Sequence, residues 1–201
     1  MGRYFIAILP DDNSHNKLTS LQNQLLSLDS SIYKTSLPIH ITLKETFSTD
    51  TIEELEKKLK ELASRFSPFS LRIDSFDVFN NRCIVLKTSN PPTLQKLHEE
   101  AIELANIYRN DELRGGLLKA CKNEVQKEYL FRYNNIFVKE YYSPHITLVY
   151  LGNKKIAGSV KKFLFEKNIN INMKCFGISI IDKKDNKPRA SYEFLKTRGF
   201  E

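Results

Sequence analysis

The sequence predicts an α+β fold of two similar lobes meeting at a cleft, on three observations. Stretches with apolar residues three and four apart alternate with short extended runs. The tetrapeptide His-Ile-Thr-Leu occurs twice, at His40 to Leu43 and at His145 to Leu148. After each copy the same order of elements follows, a helix and then two strands, although the halves share little identity outside the tetrapeptide.

Tyr4 to Leu9, an apolar run closed by Pro10, reads as a buried strand. Asn13 or Ser14 caps a helix with Leu18, Leu21, Leu25 and Leu28 on one stripe, ending near Ser30. Pro38 forces an extended entry into Ile39 to Leu43, the first motif strand. Asp50 caps a second helix striped by Ile52, Leu55, Leu59 and Leu62, which stops before Pro68. Ser70 to Phe76 and Cys83 to Thr88 form a hairpin through Asn80 and Asn81. Pro91 and Pro92 open a third helix with Leu94, Leu97, Ala101 and Leu104 inward.

Tyr108 to Glu140, interrupted by Gly115 and Gly116 and rich in both signs of charge, reads as an insertion with a short helix. Pro144 introduces the second motif strand. A helix at Ile156 to Glu166 follows, then strands near Ile169 to Ile181 and Ala190 to Leu195 flanking a turn at Asp185 to Pro188. No interdomain linker is evident, so residues 1–201 read as one domain, expected to be a monomer.

The duplicated tetrapeptide carries the chemistry. With ten threonines in 201 residues, Thr two positions after two of four histidines arises by chance only about once in a hundred sequences. On a strand, His and Thr project to one face while Ile and Leu project to the other. Two such strands across a cleft bring together two imidazoles and two hydroxyls, all able to hydrogen-bond a phosphate. An unperturbed imidazole pKa near 6.5 makes one histidine available as base and another as acid, and the hydroxyls can hold phosphoryl oxygens as charge shifts. His15 and His98 lack such a motif and read as incidental residues on helix surfaces.

A net charge of +7 resides in the last quarter, where Tyr150 to Glu201 holds twelve Lys or Arg against five Asp or Glu. Such asymmetry suits a phosphate-rich partner, or else Lys154, Lys155, Lys161 and Lys162 simply decorate a solvated helix. Three widely spaced cysteines, Cys83, Cys121 and Cys175, offer neither a disulfide framework nor a CxxC metal site, which suits a reduced, cytoplasmic compartment. No apolar run approaches a membrane span, and Met1 to Pro10 is too short for a signal peptide. The histidines lack the further ligands a metal sphere needs, and neither a P-loop nor GxGxxG is present, so no metal or cofactor is expected.

The two His-x-Thr motifs lie 105 residues apart, in PIHITLK after the first helix and SPHITLVYL after the long central stretch, behind an opening RYFIAILP. This pattern resembles the two-histidine (2H) phosphoesterase superfamily, and within it the RNA 2′,3′-cyclic phosphodiesterases, also called 2′-5′ RNA ligases. The resemblance implies a pseudo-duplicated fold with two antiparallel sheets forming a central cleft and helices outside. It implies His40 and His145 as acid and base, in an order the sequence does not specify, with Thr42 and Thr147 orienting the phosphate.

Lys44 stands one further step of two along the first motif strand, where it either contacts a phosphate or is solvated. Relatives often carry a basic residue after the second motif, where this chain has Val149 and Tyr150. Tyr150 either donates its hydroxyl or stacks on a base, or is a half-buried strand aromatic. The opening strand lines the cleft in related enzymes, and one of Tyr4 and Phe5 must face the core instead.

The expected activity is metal-independent opening of 2′,3′-cyclic phosphate at an RNA or nucleotide end. The alternatives are degradation of 2′-5′-linked or cyclic oligonucleotide signals, as viral and phage relatives do, and RNA binding without catalysis.

Overall fold

The computed structural model describes residues 1–110 and 112–195. The strands are β1 (Gly2–Ile8), β2 (Ile32–Tyr33), β3 (Ile41–Thr49), β4 (Phe69–Phe79), β5 (Cys83–Thr88), β6 (His145–Leu151), β7 (Ile171–Cys175), β8 (Gly177–Asp182) and β9 (Lys187–Glu193). The α-helices are α1 (Asp12–Leu26), α2 (Ile52–Ala63), α3 (Pro92–Tyr108), α4 (Glu124–Tyr133) and α5 (Ala157–Glu166).

The strands form one curled antiparallel sheet in the order β7-β4-β5-β6-β3-β1-β8-β9, with β2 pairing on β6. It divides into two four-stranded halves, β7-β4-β5-β6 and β3-β1-β8-β9, joined where β3 meets β6. That seam rests on one Cα pair, Ile41 with Ile146. The α+β class and the two lobes are therefore as expected, but the lobes exchange strands. The hairpin β4–β5, which follows the first motif in sequence, pairs with the second motif strand, and β8–β9 join β1 beside the first.

Burial follows the stripes read from sequence. Leu18, Leu21 and Leu25 of α1, Ile52, Leu55, Leu59 and Leu62 of α2, and Leu94, Leu97 and Ala101 of α3 enter one apolar core with the inward faces of the strands. Asn80 and Asn81 both have positive φ, 52° and 54°, the conformation that a two-residue hairpin turn needs to match strand twist.

Boundaries shifted at both early helices. Asp11, not Asn13 or Ser14, caps α1, its carboxylate accepting from Ser14 N at 3.0 Å. The helix ends at Leu26, leaving Leu28 outside it and 43% exposed. Asp50 does not cap α2; Thr51 holds that position, while Asp50 binds the Met1 ammonium and Asn110. Among the described residues no helix is long and apolar enough to cross a membrane.

Candidate active site

The single pairing of Ile41 with Ile146 sets the geometry of the site. In an antiparallel pair this register puts His40 opposite Thr147 and Thr42 opposite His145, with all four projecting to the face away from the two isoleucines. The two histidines thus occupy opposite corners of the seam. All four side chains line one cavity of about 350 Å³.

The two halves repeat each other in detail. His40 Nδ1 donates to Pro38 O at 2.7 Å, and His145 Nδ1 donates to Ser143 O at 2.8 Å. A carbonyl can only accept, so Nδ1 carries the proton in each ring and Nε2 is the nitrogen left for chemistry. In the neutral form His40 Nε2 accepts from Thr42 Oγ1 at 3.1 Å. Each imidazole also leans on a phenylalanine, His40 on Phe5 at 4.8 Å and His145 edge-on to Phe79 at 5.1 Å. Phe5 therefore faces the cleft, while Tyr4 joins the main core.

Both motif strands bulge just beyond Thr. On β3 the register shifts by one between the pairs Ala7–Thr42 and Ile6–Lys44, and on β6 between Val85–Thr147 and Ile84–Val149. An extra residue reverses the alternation that follows it. The position sharing the face of His40 and Thr42 is consequently Glu45, and its counterpart beside His145 and Thr147 is Tyr150.

Lys44, expected on that face, is not brought to it. It is 1% exposed, its ammonium donating to Tyr133 O at 2.9 Å and lying 5.9 Å from the Phe47 ring centre. Tyr150 does line the cavity, stacked on Tyr33 at 5.7 Å, and burial pushes its phenol up to about 12. Cys83, whose thiol burial also raises, donates to Thr147 Oγ1 at 3.9 Å.

Among the described members of the basic C-terminal quarter, Lys183 alone lines the cavity. Lys154, Lys155, Lys161 and Lys162 lie exposed on or just before α5 and are not among the residues that line either cavity. Sequence reasoning missed Glu45, Lys183 and also Gln22, which reaches from α1 to bind Leu148 O at 2.6 Å. Burial lowers the pKa of His40, Lys183 and His145 lower it further, and Glu45 opposes them.

His98 is a structural residue and not a surface one. It is 2% exposed, its Nδ1 donates to Leu43 O at 2.7 Å, its Nε2 accepts from Lys139 N at 3.2 Å, and its ring stacks on Tyr142 at 3.7 Å. Among the described residues no group of three or more His, Cys, Asp or Glu is placed to hold a metal ion.

The sequence matches the 2′-5′ RNA ligase superfamily over residues 10–187. The chain belongs to that superfamily. Membership makes it a 2H phosphoesterase, an enzyme of phosphodiester chemistry. No curated protein matches the sequence. Among solved structures, apo LigT of E. coli is similar at TM-score 0.57 and 15% identity, covering 96% of this chain and 98% of LigT. LigT complexed with 3′-AMP is similar at 0.55 and 15%, with the same coverage of 96% and 98%. Usb1 of Kluyveromyces marxianus is similar at 0.51 and 10%, covering 96% of this chain and 98% of Usb1. At these identities the likeness speaks to the fold of this 2H phosphoesterase alone.

Proposed function

We propose that this 2H phosphoesterase opens 2′,3′-cyclic phosphate at an RNA or nucleotide end, without a metal, by paired histidine acid–base catalysis. One observation carries the reading. Two imidazoles, each with Nδ1 tied to a carbonyl, and with Nε2 held only by the Thr42 hydroxyl in His40 and, among the described residues, unbonded in His145, stand at opposite corners of a cavity whose other corners are hydroxyls. A phosphate seated between them has a proton acceptor on one side and a donor on the other.

His40 is the base, because burial keeps it neutral near pH 7. Its Nε2 takes a proton from the attacking water as the new P–O bond forms. His145, as imidazolium, gives its Nε2 proton to the ribose oxygen as the old P–O bond breaks. Thr42 and Thr147 donate to the phosphoryl oxygens, and Lys183 supplies positive charge that Lys44 cannot. Tyr150 adds a protonated hydroxyl at the rim. The superfamily acts on RNA and nucleotides, and LigT has been solved with 3′-AMP, which agrees with a nucleotide substrate.

The test is hydrolysis of a nucleoside 2′,3′-cyclic phosphate and of a short RNA ending in one, with EDTA present. Wild type should turn over, and His40→Ala and His145→Ala should each lose about 10²-fold or more. A folded wild type inert on both substrates overturns the reading, and turnover only of 2′-5′-linked or cyclic oligonucleotides would replace it with signal degradation.

A further inference from the structure

A second cavity, of about 830 Å³, opens beside the catalytic one and shares Thr42, Glu45, Phe79 and His145 with it. Its far wall is the segment read from sequence as an insertion. Pockets that bury a whole drug-sized ligand span about 300–1,000 Å³. The smaller cavity therefore already has room for the phosphate and sugar of one nucleotide, and the larger is space that a mononucleotide does not need.

The wall is built to bind. Gln126 and Asn135 both line the cavity and are 3% and 6% exposed. Gln126 Oε1 accepts from Lys122 N at 2.8 Å, one residue before the helix cap, and Asn123, the cap itself, accepts through Oδ1 from Gln126 N at 2.9 Å. Asn135 Oδ1 accepts from Phe137 N at 3.0 Å. With each oxygen held by the backbone, the amide cannot flip, and each NH₂ group is left to the cavity. Among the described residues neither amino group has a hydrogen-bond partner. Beside them Phe137 is held 58% exposed. Fixed amide donors next to an exposed aromatic ring match the edge and the face of a nucleobase.

The wall is anchored. Glu103 on α3 takes the Tyr133 hydroxyl, Arg132 at 3.3 Å and Lys139 at 3.4 Å, and Lys139 N binds His98. Arg114 donates to Thr46 O on β3.

We propose that this cavity is a base-binding subsite for a nucleotide adjoining the reacting phosphodiester, Gln126 and Asn135 donating to the base edge and Phe137 stacking on its face. The preferred substrate is then an oligonucleotide end of two or more residues. The proposal rests on the phosphodiesterase reading for the identity of the reacting group, and binding separates the two.

Calorimetric titration of the full chain compares a dinucleotide carrying a terminal 3′-phosphate with the corresponding mononucleotide. Wild type should favour the dinucleotide by about tenfold or more, the worth of one stacked base. Gln126→Leu and Phe137→Ala should each bring that ratio close to one, and since Phe137 is exposed its variant should unfold at the wild-type temperature. Equal affinities in wild type, or a preference that survives in both variants, would overturn the subsite. If the preference is present and falls in the variants while no cyclic phosphate is turned over, the subsite stands and the catalytic reading fails.

Discussion

Glu45 stands on the cleft face with His40 because β3 bulges between them, and its carboxylate opposes the lowering of the His40 pKa by burial, by His145 and by Lys183. The acid limb of a pH–rate profile on kcat/KM should follow His40 and lie below the ordinary imidazole value near 6.5. Glu45→Gln removes a group that raises this pKa and should move the limb to lower pH. Lys183→Ala removes one that lowers it and should move the limb to higher pH. Shifts in the same direction for both variants, or none, would contradict the assignment of His40 as base.

The two threonines should matter to the chemical step more than to affinity. Thr42→Val and Thr147→Val keep the β-branched shape a strand favours while deleting the hydroxyl. A donor aimed at developing phosphoryl charge is worth about 10²–10³ in kcat. Steady-state kinetics should show that loss with KM changed only a few-fold, and a loss confined to KM would mean ordinary ground-state contacts.

Lys44 predicts the opposite pattern from Lys183. Its ammonium ties β3 to the Tyr133 carbonyl in a buried setting. Lys44→Met strands that acceptor and should cost about 1–3 kcal/mol of stability in denaturant titration. Lys183→Ala should leave stability nearly unchanged and weaken phosphate binding instead. A Lys44→Met protein of wild-type stability would show that the buried bond contributes nothing.

His98 should make stability fall in mild acid. Burial pushes its pKa to about 4 in the folded chain, against about 6.5 unfolded. Above pH 6.5 both states are neutral at this site and nothing is lost. As pH falls from 6.5 toward 4 the unfolded chain takes a proton that the folded one refuses, and stability declines by up to about 3 kcal/mol. Denaturant titrations at pH 7 and pH 4.5 should show a smaller difference for His98→Gln than for wild type. An unchanged difference would place the acid sensitivity elsewhere.

The sequence by itself determined what local spacing encodes. His40, Thr42, His145 and Thr147 were legible because a period of two sends them to one face, the helix stripes because a period near 3.6 gathers leucines on one side, and the Asn80–Asn81 turn because asparagine tolerates positive φ. Only the tertiary structure decided which residues join them. A bulge is a mismatch between two strands, so the exchange of Lys44 for Glu45 has no signature within the strand alone. Lys183 arrives from the end of β8, far from either motif in sequence, because β8 pairs with β1. His98 looked like a surface histidine because its helix periodicity could not reveal that β3 takes its Nδ1 at Leu43 O and that the segment after α3 folds back to meet its Nε2 at Lys139 N. The same folding back turned a stretch without sequence periodicity into the wall of the larger cavity.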